Sequence, residues 1–178
     1  MVDLSLHILD VATNSFKAKA KMVKVVVKEE IDCINVWITD NGCGMSEEVL
    51  KNVTNPFYTT RTTRKVGLGL PLFRQTLEQT GGFLKISSQI GKGTEVHGLM
   101  YTNHIDAIPI GDLGESVFVL VTNPYDIDVR FEMIFKDQSK EEFVIDTKDI
   151  KEVLDGVPLT ENSVMMWIKE YIEEGFNN

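Results

Sequence analysis

Disulfide and zinc chemistry are excluded by a shortage, because the 178-residue chain carries two cysteines, Cys33 and Cys43, too few and too oddly spaced for either. They read as free thiols of a reducing compartment. No apolar run approaches the roughly 20 residues that span a bilayer, and the first ten residues, MVDLSLHILD, lack the basic region of a secretory signal. The expectation is a cytoplasmic protein without a membrane partner. Positive charge is also scarce: 18 Lys and Arg against 27 Asp and Glu leave a formal net charge of −9, which repels nucleic acid. No nucleic-acid partner is expected, and neither an internal repeat nor a low-complexity segment occurs.

What is present is the mixed composition of a globular chain long enough for a packed core, as one large domain or two small ones. Residues 3–20 carry Leu4, Ile8, Val11, Ala12 and Phe16 at helical spacing behind the capping residue Asp3. Two β-forming runs follow, Met22–Val27 and Cys33–Thr39, joined by an acidic turn. DNGCG then breaks regular structure, Ser46 caps a short helix, and residues 55–66 form a polar loop rich in threonine and arginine, the expected mobile lid. A helix from about Leu70 to Thr80 ends at Gly81–Gly82, and strands near Phe83–Ser88 and Thr94–Tyr101 flank the turn IGKG. Beyond Asn103 the pattern predicts strands at Ser116–Val121, Val129–Lys136 and Glu142–Ile145, then an amphipathic helix over 160–174 with an acidic outer face. The expected organisation is a first domain over 1–103 and a small α+β unit over 104–178.

The pair Gly67 and Gly69, followed by a helix, suggests a phosphate site. GKGT at Gly91–Thr94 is not a P-loop, because Ile86 stands where that motif needs its first glycine. A Rossmann loop is excluded because the pair follows a long polar segment and Leu72 stands where the third glycine belongs. HRD and DFG, the protein-kinase elements, are absent.

The segments LHILDVATNSFKA, DNGCGM, NPFYTT, VGLGLPL and GKGTEV occur in this order, and together they resemble the GHKL, or Bergerat-fold, ATPases: histidine kinases, type II topoisomerases, Hsp90-type chaperones and anti-sigma-factor kinases. The resemblance covers roughly residues 3–102 and is closest to the histidine-kinase ATP domain. It implies an α+β fold, a two-layer α/β sandwich holding ATP and Mg²⁺ between helices and a mixed sheet, here followed by the small α+β C-terminal unit.

Residue by residue, His7, Asp10, Asn14 and Lys17 form one polar stripe on the first helix, placed to face one ligand. Asn14 matches the family's magnesium-binding asparagine, and Lys17 resembles the lysine that meets the phosphates. Asp10 stands where topoisomerases and Hsp90-type chaperones carry a glutamate base and histidine kinases usually an asparagine. Its side chain is shorter than glutamate by one methylene, about 1.5 Å, so a base role and a hydrogen-bonding or metal-orienting role both stay open. Asp40 matches the aspartate that accepts the adenine amino group; a carboxylate cannot donate, so it selects against guanine. Gly42, Gly44 and Met45 form the turn beside the base, with Cys43 a small loop residue, and Thr94 resembles the threonine supporting adenine. Gly67, Leu68, Gly69 and Leu70 offer backbone N–H groups to phosphates at a helix start. Lys65 and Val66 depart from the family's G-T/S-G pattern, and Arg61, Arg64 and Lys65 supply charge instead. Phe57 and Thr59 belong to the lid motif NPFYTT.

Only two residues precede the first helix, and none of His7, His97 and His104 has the setting of a phosphoacceptor. The expected activity is ATP hydrolysis or transfer of the γ-phosphate to a separate, unidentified protein. The alternative is an ATP/ADP-sensing interaction protein with negligible turnover. The 104–178 unit is the candidate for partner docking or for homodimer formation.

Overall fold

The computed structural model describes residues 3–55 and 68–177. The Asp3 carboxylate accepts the Leu6 N–H and so starts helix α1, Leu4–Lys17, whose residues Leu4, Ile8, Val11 and Ala12 are buried. Strands β1 (Met22–Glu29) and β2 (Cys33–Asp40) follow as an antiparallel pair. Ser46 caps α2, Glu47–Asn52, by accepting the Val49 N–H. Helix α3 (Gly69–Gln79), strand β3 (Phe83–Gln89) and strand β4 (Gly93–Tyr101) complete the elements up to residue 101. Then come α4 (Leu113–Val121), β5 (Asp128–Ile134), β6 (Phe143–Asp146), α5 (Thr147–Leu154) and α6 (Asn162–Asn177).

Among the described residues the strands form one six-stranded sheet in the order β3-β4-β2-β1-β5-β6. Strand alternation gives this sheet one apolar face. Register aligns Val25 with Ile38 and with Phe131, and Ile38 with Val96, so one row of buried side chains crosses four strands. Helices α1, α3 and α4 pack on this face, α1 against β1 and β2, α3 against β3 and β4, and α4 against β5. Full burial of each such Val, Ile or Phe stabilises the fold by about 1.5–3 kcal/mol. The chain is therefore a mixed α+β protein with the two-layer α/β sandwich that the motifs imply.

The C-terminal part differs from the sequence reading in its helices. The expected strand at Ser116–Val121 is helix α4, capped by Asp112, whose carboxylate accepts the Glu115 N–H at 2.8 Å. Leu113, Ser116, Val117, Leu120 and Val121 are its buried residues, a helical spacing hidden because Phe118 and Val119 make the exposed side apolar too. Helix α5 has no counterpart in the sequence pattern; it begins at once after β6, where the Asp146 carboxylate caps it through the Lys148 N–H. The strands after residue 103 also join the first sheet, because β5 runs parallel to β1 with Met22 opposite Asp128.

Candidate functional site

Sheet register builds one end of the site. Asp40 lies two residues beyond Ile38 on β2 and so projects from the same, helix-covered face. Across the strands Val23 pairs with Asp40, Asp40 with Thr94 and Thr94 with Ser88, which sets three polar side chains in one row. The Ser88 and Thr94 hydroxyls lie 2.9 Å apart, and Ser88 Oγ also accepts the Met45 N–H at 2.9 Å.

The loop after β2 is stitched in place from both sides. Cys43 N–H donates to the Ala18 carbonyl at 2.9 Å, and the Cys43 carbonyl accepts the Gly91 N–H at 2.8 Å. Gly44 takes φ +66°, and a Cβ there would fall 2.0 Å from the Gln89 carbonyl oxygen, so only glycine lets this loop lie against the β3–β4 turn. Asp40 is held by two donors: Oδ1 accepts the Gly42 N–H and Oδ2 accepts the Ser15 hydroxyl, each at 2.8 Å.

Facing this row is the C-terminal half of α1. A cavity of about 610 Å³ opens between them, with Asn14, Ser15, Asp40 and Thr94 as polar lining and Val11, Ile38, Leu70 and Val96 as apolar lining. That volume falls in the range of small-molecule and cofactor sites. Gly44 and Met45 line it as well. Asp40, Met45 and Thr94 also border a neighbouring cavity of about 710 Å³, which Asn14 and Leu70 do not reach. The smaller cavity is therefore the one that brings helix and sheet residues together. Lys17 is exposed at the end of α1, its Nζ donating to Asn14 Oδ1 at 3.4 Å.

Asp10 lies one turn before Asn14 and against the start of α3. A Cβ on Gly69 would come within 1.9 Å of Asp10 Oδ2, so glycine is what lets α3 begin beside this carboxylate. Among the described residues no side chain caps α3: Leu68, 44% exposed, occupies the cap position, which leaves the Gly69 and Leu70 N–H groups for another acceptor. Phe57, Thr59, Arg61, Arg64, Lys65 and Gly67 lie outside the described residues.

His7 does not share the ligand-facing stripe expected of it. Its ring is 1% exposed, stacks on Phe73 at 5.3 Å and has Nε2 3.1 Å from the Thr76 hydroxyl. Asn14 stands seven residues further along α1, about 10 Å at helical rise, and lines the cavity instead. Burial lowers the His7 pKa to about 4 and keeps the imidazole neutral, and its Nδ1 has no partner among the described residues. Ser15 and Ser88 are the residues that sequence reasoning passed over. Ser15 could have been found, since a serine one turn after Val11, on the apolar side of α1, requires a hydrogen-bond partner.

Residues 2–102 match the family model described as histidine kinase-, DNA gyrase B- and HSP90-like ATPase. Sensor kinase CckA of Brucella abortus is 39% identical over 66 residues, 36% of this chain and 7% of that protein. Sporulation kinase C of Bacillus subtilis is 42% identical over 59 residues, 33% of this chain and 14% of that protein. The non-motile and phage-resistance protein of Caulobacter vibrioides is 30% identical over 110 residues, 56% of this chain and 13% of that protein. The chain thus spans only a small part of the length of these relatives. A solved structure, the N-terminal domain of a DNA repair protein, superposes with a TM-score of 0.56 over 82% of this chain and 52% of that one; at 15% identity this is a likeness of fold alone. The family match covers more than half of the chain, and the chain belongs to the histidine kinase-, DNA gyrase B- and HSP90-like ATPases. Membership implies ATP binding. Among the described residues no helix is long and apolar enough to cross a membrane.

Proposed function

We propose that this member of the histidine-kinase-like ATPases binds ATP with magnesium in the cavity between α1 and the sheet, and hydrolyses it or passes its γ-phosphate to a side chain of a separate protein. The observation that carries this reading is the Asp40 carboxylate, fixed by Ser15 and Gly42 at the edge of a cavity that also contains Asn14. Each oxygen of that carboxylate keeps a free lone pair for an amino group. Adenine presents such a group, whereas guanine presents a carbonyl that the carboxylate repels. Val11, Ile38 and Val96 offer apolar surface to a flat base.

The residues present also suit magnesium. Asn14 offers an amide oxygen, the hard ligand this ion prefers, and one protein ligand suffices where waters and phosphate oxygens complete the set. When bound, magnesium neutralises charge on the phosphate oxygens. Lys17 adds positive charge beside Asn14, and the N–H groups of Gly69 and Leu70 supply donors at the positive end of α3. Asp10 is assigned as the base that takes the proton of the attacking water or hydroxyl. Phe57, Thr59, Arg61, Arg64, Lys65 and Gly67, which lie outside the described residues, are assigned to binding the same nucleotide.

The short reach of Asp10 supports a second reading, a nucleotide sensor with negligible turnover. Purified protein incubated with γ-labelled ATP and a cell lysate, with and without Mg²⁺, separates the two. Magnesium-dependent phosphate release or a labelled protein establishes the enzyme. Calorimetric binding of ATP without either product establishes the sensor.

A further inference from the structure

A second cavity lies at the other end of α1. The first turn of α4, the end of β5 and the last turns of α6 enclose a cavity of about 710 Å³. Its walls include the buried Leu113, Met133 and Ile172 and the half-buried Phe118, Phe135 and Phe176. Four carboxylates line it, Glu29, Asp112, Glu115 and Glu173, against one lining cation, Lys169, while Lys140 lies 5.1 Å over the Phe135 ring and donates to the Phe176 carbonyl at 3.2 Å. Asp112 is engaged as the cap of α4. Glu29, Glu115, Glu173 and Lys169 form no ion pair among the described residues. An apolar hollow of ligand-site volume thus carries more carboxylates than cations.

We propose that this cavity docks a cationic amphipathic segment of a partner protein, with an apolar side chain seated on Phe118, Phe135 and Phe176 and flanking Lys or Arg residues meeting Glu29, Glu115 and Glu173. Charge complementarity selects this occupant. Nucleic acid and anionic lipid surfaces are repelled by the same carboxylates, and a second copy of the chain carries its own net charge of −9. The carboxylates steer the cationic segment, and burial of the aromatic floor retains it. This cavity is separate from the nucleotide cavity. Leu4 and Ser5 of α1 donate to the carbonyls of Pro109 and Ile110 beside it, and Asn14 stands ten residues, about 15 Å, further along the helix. A docked segment and a nucleotide can therefore be held at once, at opposite ends of α1.

The test is fluorescence anisotropy of a short fluorescein-labelled peptide of leucine and lysine at helical spacing, titrated with the full chain. Saturable binding is expected, weakened at least about tenfold in Glu115→Lys/Glu173→Lys and also weakened in Phe135→Ser. Glu152→Lys/Glu170→Lys makes the same charge change outside the cavity and is expected to bind like the unaltered chain. Circular dichroism of each variant confirms that the fold is retained. Equal weakening by both charge reversals would reveal general attraction to an acidic protein and overturn the proposal. Absence of saturable binding, or equal binding of a peptide with glutamine in place of every lysine, would also overturn it.

Discussion

The Ser15 hydroxyl donates a 2.8 Å hydrogen bond to Asp40 Oδ2, tying the helix that carries Asn14 to the strand end that faces the cavity. Ser15 is buried and lies 25 residues from its partner. Because Gly42 N–H holds the other oxygen, the carboxylate plane is fixed before any ligand arrives. Asp40→Asn places an NH₂ where an acceptor is needed and is expected to weaken ATP binding by about 1.5–3 kcal/mol, the worth of a hydrogen bond to a charged group. Calorimetry with ATP and GTP is the measurement. The unaltered chain should prefer ATP strongly, and equal affinities would remove Asp40 from the base site. Ser15→Ala should weaken ATP binding less than Asp40→Asn, since it only frees the carboxylate to turn.

Binding and turnover should separate on α1. Asn14→Ala is expected to abolish the magnesium dependence of nucleotide binding and of phosphate release. Asp10→Asn should leave ATP affinity nearly unchanged and lower turnover. Unchanged hydrolysis in Asp10→Asn would take the base role from Asp10.

The contact between Gly69 and Asp10 gives a non-additivity test. A methyl at position 69 would fall 1.9 Å from Asp10 Oδ2. That carboxylate is the end of a side chain able to rotate, so Gly69→Ala should cost little stability, within about 1 kcal/mol, while moving Asp10 off its position. Phosphate release should fall toward the Asp10→Asn level, and the double variant should fall no further. Additive losses would show that Gly69 acts through the backbone of α3 and not through Asp10.

His7 should make the fold acid-sensitive. Burial lowers its pKa to about 4 from the ordinary 6.5. Between those values the unfolded chain binds the proton and the folded chain does not, so stability contributed by the neutral ring is full above pH 6.5 and is lost as pH falls toward 4. The loss is at most about 3 kcal/mol. His7→Phe keeps a ring against Phe73 and removes the titration. Melting temperatures of the two proteins across pH 4–7 should diverge below 6.5, the unaltered chain falling more steeply. Parallel curves would mean that the ring titrates normally.

The sequence by itself determined the elements whose signals are local. Asp3 and Ser46 each start a helix by capping a backbone N–H three residues ahead, and the alternation along β5 marks the buried side of that strand. The order of motifs from Asn14 to Thr94 was legible too, because chain chemistry and turn geometry are written within a few residues. Periodicity failed at α4, where apolar residues on both sides erased the difference between period 2 and period 3.6.

Tertiary structure decided what depends on pairing across the chain. No local pattern says that Met22 lies beside Asp128, and that register joins the late strands to the first sheet. Contact with Phe73 and Thr76 of α3 buries His7, whereas Asn14 lines the cavity, although sequence spacing alone puts both on one polar stripe. Ser15 and Asp40 meet for the same kind of reason, since a hydrogen bond between distant residues forms only after the sheet register and helix packing have set both backbones.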